Sequence, residues 1–156
     1  MPSSTAYLDG LKMLARRELS EQQVRQRLVR RNHDGDAIDE AVNRLKQERA
    51  IDDARTAGAI ARTETSIKRR GRFRIQRKIE SAGIPSATAK HAVDEVFSAI
   101  DPAALIEAAL EKRLRGRTRI KDEAEFSRLY RYLIGQGFEA DQVMKALGAR
   151  RVARFD

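Results

Sequence analysis

The chain has no cysteine and no tryptophan, and only two histidines, three prolines and nine glycines among its 156 residues. Without cysteine there is no disulfide, no thiolate metal site and no cysteine nucleophile. His33 and His91 are too few to expect a histidine-ligated metal, and nothing in the sequence calls for a cofactor. Long apolar runs are missing too. None exceeds Ala57-Gly58-Ala59-Ile60-Ala61, far short of the ~20 residues that cross a bilayer. The opening Met1-Pro2-Ser3-Ser4-Thr5 lacks the basic and apolar regions of a secretory signal. These absences predict a soluble, cytoplasmic protein with no membrane partner.

What is abundant is positive charge. Lys and Arg total 32 against 23 Asp and Glu, a formal charge of +9, and 24 of the cations are Arg. Arginine favours planar, bidentate contacts to carboxylate or phosphate over simple point-charge solvation. Charged residues make up 35% of the chain and hydrophobic ones 41%, so a core is possible but thin. On length alone the chain is one domain or a few small modules.

The apolar residues recur at helical spacing. Tyr7, Leu8, Leu11, Leu14 and Ala15 form one such set, and no segment shows the two-residue alternation of a strand. Ser20 followed by Glu21-Gln22-Gln23 is a capping-box pattern. Asp101-Pro102 places an N-cap acid before a proline at the first helical position. The expected class is all-α.

An internal repeat organises these helices. Val24, Leu28, Asn32, Ile38 and Val42 are separated by four, four, six and four residues. Ile75, Ile79, Gly83, Ala89 and Val93 keep that spacing, as do Leu129, Leu133, Gly137, Val143 and Leu147. Each set describes a helix with core residues one turn apart, ended by an Asn or Gly that enters the left-handed conformation cheaply. A short turn follows, with Ile84 or Phe138 as its plug, and then a second amphipathic helix. Further helical patterns precede each set at Tyr7–Arg17, Asp53–Arg70 and Pro102–Leu114. The expectation is three tandem three-helix repeats of helix-turn-helix type, over residues 1–50, 51–100 and 101–156, the last with a short basic tail. A unit of ~50 residues buries little core alone, so the repeats should stack into an elongated, curved array.

The motifs Leu14-Ala15-Arg16-Arg17-Glu18-Leu19-Ser20, Ala50-Ile51-Asp52-Asp53 with Gly71 and Gly83-Ile84, and Arg128-Leu129-Tyr130-Arg131-Tyr132-Leu133 with Gly137-Phe138 resemble the three repeats of the RecX family. The likeness runs from about Tyr7 to Arg151. Two positions depart from the family pattern: Thr56 stands where an aromatic is usual, and Asn32 where a glycine is usual. The resemblance implies a non-enzymatic regulator whose partner is the RecA recombinase. Such a regulator would lodge in the groove of the RecA filament on single-stranded DNA and restrain ATP hydrolysis and strand exchange.

Two basic runs are the candidate binding residues. Lys68, Arg69, Arg70, Arg72, Arg74, Arg77 and Lys78 are seven cations in an eleven-residue stretch without an acid. On a helix starting at Arg72, the cations Arg74, Arg77 and Lys78 form a ridge beside the line of Ile75, Ile79 and Ala82. Such a ridge suits phosphates or an acidic groove. Between Lys112 and Lys121, Arg113, Arg115, Arg117 and Arg119 occupy alternate positions. That spacing predicts a helix to about Leu114 and then an extended loop, either a plain linker or one with Arg117 and Arg119 free to reach a partner.

Other groups carry less. Asp52-Asp53 has no third ligand at metal spacing and sits where an N-cap belongs. Gly135-Gln136-Gly137 ends a helix instead of following a strand, which removes the dinucleotide-loop reading. Phe126, Tyr130, Tyr132 and Phe138 are candidates for base stacking, with core packing the stronger reading for Phe138. No nucleophile stands with an oriented base, so no enzyme is expected. Direct nucleic-acid binding of helix-turn-helix type stays open beside the recombinase reading.

Overall fold

The computed structural model describes residues 4–151. Residues 1–3 and 152–156, with the end of the expected basic tail, lie outside them. The described residues form nine helices: α1 (Thr5–Arg16), α2 (Glu21–Arg30), α3 (Gly35–Gln47), α4 (Asp53–Ser66), α5 (Arg72–Ser81), α6 (Ser86–Phe97), α7 (Pro102–Leu114), α8 (Glu123–Gly135) and α9 (Ala140–Gly148). Extended pairing among them is limited to one bridge, Ile120 to Arg151. The all-α expectation holds, with three helices to each repeat.

Local chemistry sets the boundaries. Ser20 caps α2 by accepting from Gln23 N at 3.1 Å while the Gln23 side chain accepts from Ser20 N at 3.0 Å, completing the capping box. Asp101 caps α7 ahead of Pro102, and Asp34 caps α3. Asn32, Gly83 and Gly137 take φ of 64°, 85° and 99°, the left-handed turns expected from the repeat. Helix α4 stops at Ser66, four residues short of the expected Arg70. Arg69 turns left-handed there at φ 54°, and Arg70 N closes the helix end on Glu64 O at 3.0 Å. Just before that end, the Thr65 and Ser66 hydroxyls bond back to α4 carbonyls, a habit that bends helices.

By compactness the chain forms two units, one of residues up to Ile60 with Lys78–Ala92, the other of Ala61–Arg77 with the residues from Val93 onward. Helices α4, α5 and α6 each run from one unit into the other. In the first unit, Val24, Leu28, Ile38, Val42 and Leu45 pack with Ala6, Tyr7 and Met13. The buried face of α1 is therefore Ala6, Tyr7, Gly10 and Met13, whereas Leu8 is exposed. Gly10 sets that face, because a Cβ there would lie 2.7 Å from Leu45 Cδ1. In the second unit the core is built on Ile106, Leu110, Leu129, Leu133, Phe138, Val143 and Leu147.

Each unit contains one joint between a helix start and the turn after another helix. In the first, the Ser20 hydroxyl at the start of α2 donates to Ala82 O, in the turn after α5. A Cβ on the adjacent Gly83 would collide with Gln22. In the second, Gly71 N donates to Gln136 O at 2.8 Å and Phe73 N to Gly137 O at 3.0 Å. There the start of α5 sits on the turn after α8. A Cβ on Gly71 would lie 2.4 Å from Gly137 C, and one on Gly137 would lie 2.4 Å from Arg74 N. In the second joint, orphan N–H groups of one helix start thus meet the carbonyls of another helix end, with opposed dipole ends in contact, while in the first the Ser20 hydroxyl makes the contact.

The joint and the core line are tested by substitution. Gly137→Ala combines a left-handed φ with a backbone collision, so the expected loss is above the ~1 kcal/mol of an ordinary strained Gly→Ala change. Leu133→Ala and Ile79→Ala remove fully buried side chains and should each cost about 2–5 kcal/mol. Urea unfolding followed by circular dichroism measures all three, and wild-type midpoints would show the joint and the core line to be wrongly placed.

Candidate partner-binding surface

The first basic run carries no acid of its own, yet carboxylates from outside it reach in. Glu64, 2% exposed, receives Lys68 at 3.3 Å and Arg70 at 3.0 Å. Arg72 bonds Asp94 at 2.7 Å, lies 3.9 Å from Glu139 and rests over the Phe97 ring. Arg74 leans toward Gly135 O at 3.4 Å. Among the described residues, Arg69, Arg77 and Lys78 have no ion-pair partner, and all three are exposed. The expected ridge is therefore divided: half of it holds the second unit together, and Lys78 belongs to the other unit.

In the second run, α7 ends at Leu114 as the spacing predicts, and Arg115 (φ 51°) and Gly116 (φ 88°) reverse the chain. The loop beyond is not the free arm that its alternating cations suggested. Arg117 forks onto Glu125 at 2.9 and 2.6 Å, and Arg119 donates to Ala149 O at 3.1 Å. These bonds fasten the loop to its own unit, because Glu125 is buried and unpaired it would be costly. Glu125 also accepts from Lys121 N at 3.0 Å. The Arg117 hydrogen bonds, opposed by desolvation and aided by that backbone bond, hold its carboxyl down to about 2.

The fold brings parts of both runs around one tyrosine. Tyr132 on α8 lies beneath the Arg113 guanidinium, 3.5 Å from its ring centre. On one side is a recess of about 630 Å³ lined by Ala109, Lys112, Arg113, Arg115, Arg117 and Tyr132. On the other is a cleft of about 400 Å³ that shares Ala109, Lys112 and Tyr132 and adds Ile67, Lys68, Arg69, Leu105, Ala108, Gln136 and Phe138. No carboxylate lines either space. The apolar floor went unread in the sequence, although Leu105, Ala108, Ala109 and Lys112 are spaced as one face of a helix.

The remaining candidates are structural. Asp52 caps α4 through Arg55 N at 3.0 Å, and Asp53 accepts from Glu21 N at 2.9 Å. Thr56 is buried and bonds Glu18 at 3.0 Å. His33 Nε2 pairs with Asp9 at 2.7 Å. Phe138 is buried in the turn, and the Phe126 ring lies under Arg151. No group of three potential metal ligands occurs among the described residues, and none of their helices is long and apolar enough to cross a membrane.

Comparison with known proteins adds the family context. Residues 6–45 match the family description "RecX, first three-helix domain". Regulatory protein RecX of Halorhodospira halophila (strain DSM 244 / SL1) is 31% identical over 149 residues, covering 94% of this chain and 89% of that one. Regulatory protein RecX of Pelodictyon phaeoclathratiforme (strain DSM 5477 / BU-1) is 24% identical, with 88% and 84% covered. In fold, the crystal structure of RecX from Lactobacillus salivarius superposes with a TM-score of 0.82 over 92% of this chain and 93% of that one, at 19% identity.

Two outcomes follow from the carboxylates. Glu125 has a folded value below the ordinary 4.5, so its contribution is complete above that value and is lost as pH falls toward about 2. Glu125→Gln should cost about 1–3 kcal/mol near neutrality and flatten the acid limb of a stability–pH profile below about 4.5. A mutant with the parent's acid limb would remove Glu125 as its cause. Arg70→Glu, which sets a like charge against buried Glu64, should cost about 3 kcal/mol or more, read as a fall in urea midpoint, and an unchanged midpoint would dismiss the pair.

Proposed function

The chain belongs to the RecX family, and from that premise we propose that it restrains the RecA recombinase by lodging in the groove of the RecA filament on single-stranded DNA. The family supplies the partner. The observation that carries the mode of binding is the cation-lined, carboxylate-free surface around Tyr132, which suits an acidic or phosphate-bearing groove and would raise encounter rates. Bound there, the protein acts by occupying space and bridging elements of the filament, with no chemistry of its own. The relatives it resembles carry the name of regulatory proteins.

Base reading by the second helices has little support. At its start, where a recognition helix meets base edges, α3 exposes Asp36, Asp39 and Glu40, its cations Arg44 and Lys46 falling in the last turn; α6 exposes Lys90 and His91 beside Glu95, and α9 exposes Asp141 beside Lys145. A major-groove reader presents a cationic or amide-rich helix face.

The test is the ATPase of RecA on single-stranded DNA with the purified chain added. Wild type should inhibit. Arg69→Glu/Arg77→Glu/Arg115→Glu should lose inhibition by about tenfold or more in concentration, while melting changes little, since exposed unpaired charges count for less than about 0.5 kcal/mol each. Inhibition by the triple variant at wild-type concentrations would overturn the assignment of these cations.

A further inference from the structure

The cleft beside Tyr132 has a composition that a purely ionic surface does not need. Ile67 is 74% exposed on its rim, and Leu105, Ala108, Ala109 and Phe138 contribute apolar lining. Lys68, Arg69 and Lys112 stand round the same space, and Arg113 and Arg115 continue the charge into the adjoining recess. An exposed isoleucine over an apolar floor is a surface that gains by being covered. Lys68 already pairs with Glu64, but Arg69 and Lys112 have no carboxylate partner among the described residues, and they specify that what covers the cleft is acidic.

A nucleic acid strand answers only half of this. Its phosphates fit the cations, but its bases bind through open aromatic faces. The aromatic face available here, that of Tyr132, is occupied by Arg113 at 3.5 Å. The same stacking holds the guanidinium flat, leaving its edge to fork a carboxylate. The volume of about 400 Å³ accommodates apolar side chains of a peptide.

We propose that this cleft docks an acidic peptide segment of the partner protein, anchored by apolar side chains over Ala108 and Ala109 between Ile67 and Tyr132, with carboxylates on Arg69, Lys112 and Arg113. The proposal rests on the preceding reading only for which protein carries the segment.

The experiment uses the full chain and no recombinase. Fluorescence anisotropy is recorded with a labelled peptide of glutamates around two leucines, its serine-for-leucine counterpart, and a labelled thymidine oligonucleotide. The leucine peptide should bind about tenfold or more tightly than the serine peptide. Ile67→Ser, a change at an exposed site, should abolish that difference, and Lys112→Glu should weaken both peptides. Equal binding of the two peptides, or none, overturns the proposal. So does an oligonucleotide that binds more tightly than the leucine peptide and is the one lost in Lys112→Glu. If the leucine peptide binds as expected while RecA ATPase is untouched by the wild-type chain, the cleft stands and the recombinase reading falls. If RecA is inhibited and the peptides fail to bind, the reverse holds.

Discussion

A helix start leaves N–H groups without acceptors, and a helix end leaves carbonyls without donors. In this protein the second unit sets the two deficits against each other, backbone to backbone, and the first reaches a helix-end carbonyl with the Ser20 hydroxyl of a helix start. The α2 start rests on the turn after α5, and the α5 start rests on the turn after α8. Closeness is the whole requirement. Backbone reaches backbone only if no side chain intervenes, so Gly71 and Gly137 have no room for a Cβ, and one on Gly83 would strike the Gln22 side chain. The left-handed φ at two of them turns the carbonyl-bearing loop outward for the contact. Burial of Ile84 and Phe138 beside these turns then secures the following helix.

Charge follows a division of labour. A formal excess of +9 opposes compaction, and the second unit answers with carboxylates that lie outside the basic runs. Glu64 gathers Lys68 and Arg70, Asp94 takes Arg72, and Glu125 takes Arg117. Those cations belong to the architecture. Arg69, Arg77 and Arg115 are left outside these pairs, and Arg113 is spent on a tyrosine face that orients it. A basic run in sequence is thus a mixture of supports and contacts, and only the fold sorts them.

That sorting marks where the sequence was legible. The repeated spacing placed Val24, Ile75, Leu129 and their partners at buried positions and put Asn32, Gly83 and Gly137 in left-handed turns. Periodicity reports such things because helix faces and caps are local. It was incomplete on α1, where Tyr7 is buried and Leu11 and Leu14 pack against the core as read, but small Ala6 and Gly10 are buried too while the larger Leu8 is exposed, since close helix approach selects for size as much as apolarity. It could not see Glu64 closing on Arg70 or Arg117 on Glu125, whose pairing depends on where a loop turns. Nor could it see Tyr132 between the two basic runs, a meeting of α7 and α8.

Asn32 has the same place in the first repeat that Gly83 and Gly137 have in the others, and the same backbone conformation at φ 64°. It differs in carrying a Cβ, and no helix start is seated on its turn among the described residues. Having a side chain there is affordable because that turn supports no neighbour. Glycine is thus required by what is seated on a turn and not by the left-handed backbone alone, which asparagine also adopts.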